Sequence, residues 1–175
     1  MWQQGYIQLY TGNGKGKTTA ALGLALRAAG AGLKTMILQF MKGQPYSELN
    51  SLKRLDDLIT IEQHGSEQFC RPDADSFAEH YQLTRVGLAR ARQVLAQPDY
   101  SVVILDELVT CLLFRLVTIE EIRSLIQIKQ PRQELVLTGR GATPELIGMC
   151  DLVTEMIEVK HYYTKGVQAR PGIES

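Results

Sequence analysis

Apolar residues along the chain come in short runs separated by longer amphipathic stretches. Tyr6-Ile7-Gln8-Leu9-Tyr10 is β-prone and breaks into glycines, and Thr18 to Ala31 is rich in Ala and Leu, so strand, loop and helix follow in order. Gly30 and Gly32 punctuate that helix, and Thr35 to Phe40 reads as a second buried strand, which completes a β-α-β unit. Beyond a turn at Gly43-Gln44-Pro45 the pattern predicts a short helix over Glu48 to Leu55, a strand over Leu58 to Glu62, and a loop from His64 to Pro72. From Asp75 to Gln97, Phe77, Tyr81, Thr84, Leu88, Ala91 and Leu95 recur every three or four residues and mark a long amphipathic helix, which Pro98 ends.

Ser101 to Leu105 is an uninterrupted apolar strand, of the kind buried on both faces of a parallel sheet. Thr118-Ile119-Glu120-Glu121 is a capping box that opens a helix to about Lys129. Glu134 to Thr138 is the next strand, Thr143-Pro144-Glu145 starts another helix, and a last strand is expected over Leu152 to Val159. Strands alternating with helices predict an α/β fold with a doubly wound, mostly parallel sheet of five or six strands and helices on both faces. No repeat or linker divides residues 1–175, so a single domain is expected, with a polar tail over 161–175 that is either frayed or folded over the site.

Nineteen Lys plus Arg balance nineteen Asp plus Glu, which argues against a general nucleic-acid or membrane-surface binder and requires any anionic ligand to be met locally. A chain of this size buries about 70% of its unfolded surface and needs no disulfide or metal staple. Cys70, Cys111 and Cys150 are far apart and odd in number, which suggests neither a zinc site nor a disulfide framework and fits the reducing cytoplasm. Neither a leader nor an apolar run near the ~18 residues of a membrane span is seen, so export and anchoring are not expected.

The sharpest chemical signal is Thr11-Gly12-Asn13-Gly14-Lys15-Gly16-Lys17-Thr18-Thr19 between a strand and a helix, a phosphate-binding loop. Glycines let backbone N–H groups point at phosphate oxygens, the helix adds its positive end, Lys17 supplies an ammonium, and Thr18 is placed to ligate Mg²⁺. Thr11 stands where the first glycine of the usual motif would be, and Lys17 stands where the third glycine of a dinucleotide fingerprint would be. Asp106 and Glu107 close the strand ending at Leu105, where they would hold Mg²⁺ or its water shell. Leu137-Thr138-Gly139-Arg140-Gly141 lies at another strand end, and Arg140 is either a phosphate clamp or a solvated turn residue.

Lys160, His161 and Lys165 are either further site groups or a solvated tail. His64 and His80 lack ligand spacing and read as structural, and Arg85, Arg90 and Arg92 read as the solvent side of their helix. Phe69 is either a contact for a flat ligand or local core. No Ser-His or Cys-His arrangement supplies a nucleophile. From these residues alone a small-molecule kinase or ATPase and a non-catalytic nucleotide-binding module both stay open.

Taken together, T-G-N-G-K-G-K-T-T-A-A from Thr11, F-M-K-G from Phe40, V-V-I-L-D-E-L from Val102, L-T-G-R-G from Leu137, and V-K-H from Val159 with the later G-V-Q-A and G-I-E closely resemble the P-loop type of ATP:corrinoid adenosyltransferase, in order and over nearly the whole chain. The resemblance implies a P-loop NTPase-like fold and transfer of the 5′-deoxyadenosyl group of ATP to the Co(I) form of a corrinoid, cobalamin or cobyrinic acid a,c-diamide, with release of tripolyphosphate. It also implies Mg²⁺, a cytoplasmic homodimer, and a flavoprotein reductant as partner. Carried over by position, Asn13, Gly14, Lys15, Gly16, Lys17, Thr18 and Thr19 match the family's nucleotide loop, and Glu107, beside Asp106, matches an acid associated with the metal; Gly12 is counted with the nucleotide-binding loop, and Lys17, Glu107 and Arg140 are the expected catalytic groups. The aromatic F-T-W element of some members has only Gln68-Phe69-Cys70 as a remnant, and Thr110 to Leu116 departs from the family's Gly-containing segment, so no corrin contacts are carried over.

Overall fold

The computed structural model of the chain describes residues 3–68, 70 and 76–174. Its strands are β1 (Ile7–Thr11), β2 (Thr35–Phe40), β3 (Ile59–His64), β4 (Val102–Asp106), β5 (Glu134–Thr138) and β6 (Leu152–Glu155), and its helices are α1 (Lys17–Gly30), α2 (Ser47–Leu52), α3 (Ser76–Leu95), α4 (Leu108–Leu113), α5 (Ile119–Ile128) and α6 (Pro144–Gly148). Every strand pairing is parallel, and the strand order is β3-β2-β4-β5-β1-β6. An all-parallel sheet must be covered on both faces. The period of two along the strands delivers that cover, with Met36, Leu38, Phe40, Val103, Leu105, Leu135 and Leu137 packing on one side and Ile37, Val102, Ile104 and Val136 on the other.

On the second side lies α1, whose Ala21, Ala25, Ala28 and Ala29 are buried. Alanines at that spacing let the helix sit close on β4 and β5. The opposite face is covered by α3 through Leu88, Ala91, Val94 and Leu95, by α5 through Ile122 and Leu125, and by α4 and α6. Among the described residues no helix is long and apolar enough to cross a membrane.

Several boundaries differ from the pattern, each for a physical reason. The strand β3 runs on to His64 because β2 pairs with it as far as Phe40. The strand β6 stops at Glu155 because the Met156 N–H then donates to the Thr11 carbonyl and its own carbonyl accepts from the Gly14 N–H, so the chain leaves the ladder for the loop after β1. Tyr81, counted on the apolar face of α3, is 40% exposed and lies under the Arg85 guanidinium instead. Arg85 and Arg90 are not merely solvated: Arg90 grips Glu62 with a fork of hydrogen bonds, and Arg85 donates to Glu121 and to the Leu116 carbonyl, tying α3 to the start of α5. Arg92 is exposed as expected. The sequence assigned no element to Leu108–Leu113, which forms α4. Phe69 and Asp75 lie outside the described residues.

Candidate active site

The carboxyl ends of β1, β2, β4 and β5 lie along one edge of the sheet, and the segments leaving them form a cavity of about 650 Å³. Residues 13–19, Glu107 and Arg140 line it. Gly12 sits behind the loop, where φ is +94° and a Cβ would come within 2.4 Å of the Met156 carbonyl oxygen. Only glycine fits that conformation and that approach. The Gly14 N–H to Met156 carbonyl bond, 2.7 Å, pins the loop from the same side.

The loop passes directly into α1. No side chain caps that helix and no acid occupies its first turn, so its free N–H groups and positive end face the cavity. The Lys17 ammonium, nearly buried, donates to the carbonyls of Gly12 and Gly14 at 2.7 Å each. Burial lowers its pKa, the Arg140 guanidinium adds to the effect, and Glu107 and Asp106 oppose it.

The two acids differ in environment. Glu107 stands on the cavity wall in the left-handed region at φ 62°, its N–H donating to the Thr138 hydroxyl and its carboxylate accepting from the Thr110 hydroxyl. Such a conformation costs roughly 1–2 kcal/mol in a non-glycine residue and is held by its surroundings. Asp106, 1% exposed, accepts from Thr18 (3.0 Å), Thr138 (2.6 Å), Gln39 (3.2 Å) and Lys42 (2.9 Å). Arg140 is exposed on the wall, and its backbone N–H donates to the same Thr110 hydroxyl that holds Glu107. Thr110 thus links the acid to the arginine loop.

The tail folds over the loop. The Lys15 ammonium donates to the Ile173 carbonyl at 2.5 Å and lies 3.8 Å from Glu174, and His161, Gly172, Ile173 and Glu174 line the cavity. Glu174 is held in turn by Arg170 and the Tyr162 hydroxyl, which keep its carboxyl pKa down at about 2. His161 joins the site, whereas Lys160 and Lys165 are exposed outside it. His64, which burial keeps less basic than usual, packs by Phe40, and His80 is buried against the Gln68 carbonyl, both away from the cavity.

Sequence reasoning gave no role to the segment after β2, yet Lys42, Tyr46 and Glu48 line the cavity. The available signal was a lysine two residues after a buried strand that ends at the ligand edge. Among the described residues no group of three or more His, Cys, Asp and Glu could hold a metal by itself. The Thr18 hydroxyl, the Asp106 carboxylate and Glu107 fit Mg²⁺, which takes few protein oxygens and keeps water and phosphate as its other ligands. An open cavity with an uncapped helix end, three lysines and an arginine suits a polyphosphate.

A family model described as ATP:corrinoid adenosyltransferase BtuR/CobO/CobP matches residues 3–175. The chain is 35% identical to a corrinoid adenosyltransferase of Escherichia coli and 34% identical to the corrinoid adenosyltransferase CobA of Salmonella typhimurium, in both cases over 98% of this chain and 86% of the relative. It is 33% identical to a corrinoid adenosyltransferase of Pseudomonas aeruginosa, over 98% of this chain and 84% of that protein.

Proposed function

Because the chain belongs to the ATP:corrinoid adenosyltransferase family, we propose that it transfers the 5′-deoxyadenosyl group of ATP to the Co(I) centre of a corrinoid and releases tripolyphosphate. The observation that carries this reading is the loop 13–19 opening, with an uncapped helix end and Lys17, onto a cavity whose other walls hold Glu107 and Arg140, in a chain matched to the family along its length.

The chemistry needs little more from the protein. Co(I) attacks C5′ with its electron pair, the C5′–O bond breaks, and that bond's electrons leave on the triphosphate. The nucleophile comes with the substrate, which fits a site whose wall offers cations and backbone donors. Charge grows on the leaving oxygens, where preorganised donors lower the barrier most. Lys17, the Asn13-to-Thr18 backbone and Arg140 are assigned to that clamp. Mg²⁺, held through Thr18, Asp106 and Glu107, would neutralise phosphate charge.

The same reading treats residues 1–175 as one nucleotide-binding domain, and it places the enzyme in the cytoplasm as a homodimer that takes Co(I) corrinoid prepared by a flavoprotein. A kinase or a non-catalytic module has no comparable support from the relatives. Analysis of the phosphate product separates them. With ATP, Mg²⁺ and chemically reduced cobalamin, tripolyphosphate is the expected product; ADP, formed with or without the corrinoid, contradicts the transfer.

A further inference from the structure

Lys42 is a cavity cation to which neither the loop motif, the strand-end acids nor the arginine turn draws attention, and its backbone is held in an unusual conformation. Met41, directly after β2, has φ 57°, a left-handed conformation in a residue that is not glycine. The turn is clamped from β3: a Cβ on Gly65 would lie 2.2 Å from the Lys42 backbone nitrogen and 2.3 Å from the Met41 carbonyl carbon. The side chain so delivered is 13% exposed and lines the same cavity as Lys17 and Arg140. Its ammonium donates to the Thr18 hydroxyl at 3.1 Å and to the Asp106 carboxylate at 2.9 Å, and lies 5.3 Å from the centre of the Tyr46 ring.

These contacts put a positive charge on the two oxygens that suit a divalent cation. The ammonium lies 2.9 Å from the Asp106 carboxylate, and Glu107 and Glu48 line the same cavity, so negative groups surround it. Asp106 is thereby covered and paired, as a buried carboxylate must be. An ammonium and Mg²⁺ cannot both rest on Thr18 and Asp106, since two cations at such distances repel strongly. Four methylenes let the Lys42 head swing while its backbone stays clamped.

We infer that Lys42 is a second phosphate-binding lysine: its ammonium holds Thr18 and Asp106 in place in the free protein, yields that position to the metal, and moves onto the incoming triphosphate. This rests on the phosphate-pocket reading above and names a residue role within it. Lys42 then serves as an exchangeable counter-ion, so that Asp106 is never left buried and unpaired.

The test uses binding alone. Tripolyphosphate with Mg²⁺ is titrated calorimetrically into wild type, Lys42→Met and Lys42→Arg, and free Mn²⁺ is counted by electron paramagnetic resonance as a stand-in for Mg²⁺ without phosphate. Lys42→Met is expected to bind tripolyphosphate tenfold or more weakly yet to bind Mn²⁺ more tightly, because the internal competitor is gone; Lys42→Arg recovers most of the tripolyphosphate affinity. A merely structural lysine would weaken both ligands together. Unchanged tripolyphosphate affinity, or Mn²⁺ affinity unchanged or weakened, overturns the exchange. Failure of wild type to bind tripolyphosphate contradicts the pocket reading itself, which keeps the two failures apart. If Lys42→Met unfolds because Asp106 is left alone, Lys42→Met with Asp106→Asn is compared with Asp106→Asn for the same loss of tripolyphosphate affinity.

Discussion

The Lys17 ammonium rests on two loop carbonyls, and both burial and Arg140 make its charge harder to hold. On the proposed reading a phosphate oxygen would offer it a full negative charge in place of carbonyl dipoles, so its pairing would strengthen as the triphosphate departs. Lys17→Ala is expected to lower the rate about a hundredfold, near 3 kcal/mol of transition-state stabilisation. The thermal midpoint of that variant should stay within a few degrees of wild type, because Lys17 supports only loop carbonyls; a folded variant with normal turnover would contradict the clamp. Lys17 is legible in the sequence since its partners lie within five residues of it. Lys42 is not, because Thr18 and Asp106 reach it from 24 and 64 residues away, and only the sheet brings them together. Thr110 is hidden for the same reason, joining Glu107 nearby to the distant Arg140 loop.

At the level of elements, α5 shows how local chemistry sets a boundary. The Thr118 hydroxyl accepts from the Glu121 N–H, and the Glu121 carboxylate accepts from the Thr118 N–H, the reciprocal pair anticipated from the four-residue motif. Removing it by Thr118→Ala should cost about 1 kcal/mol, seen as a lower urea midpoint with an unchanged slope. Turnover should be unaffected, and an equal loss of activity would mean that α5 reports to the site. Signals of this kind, together with apolar strands covered on both faces, made most of the sheet readable. The helix α4 escaped because Leu108-Val109-Thr110-Cys111-Leu112-Leu113 is only six residues long, nearly all apolar, and opens from Glu107 in a left-handed conformation rather than from a cap. The end of β6 escaped because Met156 turns away to bind Thr11 and Gly14, a contact that no strand period encodes.

Across the whole molecule, the tail is the part whose sequence left two outcomes open. Most of its described residues are exposed, and composition alone cannot separate a frayed end from a closed one. Closure comes from Lys15 meeting Ile173 and Glu174 and from Glu174 meeting Arg170 and Tyr162. The Glu174 pKa is depressed, so its hold on the tail is present in full above the ordinary carboxylate range and is lost as pH falls toward about 2. Amide exchange or proteolysis of the last fifteen residues should therefore be flat between about pH 5 and 8, once the intrinsic pH effect is removed, and rise below about pH 4. Loosening that begins near neutral pH would contradict Glu174 as the group that holds the tail.

The central claim concerns the molecule as a catalyst that needs a reduced corrinoid. The most direct measurement follows the Co(I) absorption anaerobically after purified protein, ATP and Mg²⁺ are mixed with chemically reduced cobalamin, and again with cobinamide. The account predicts that Co(I) is consumed only when ATP is present and that a light-sensitive Co–C product appears. Persistence of Co(I) with both corrinoids, while the protein is folded and binds ATP, would contradict it.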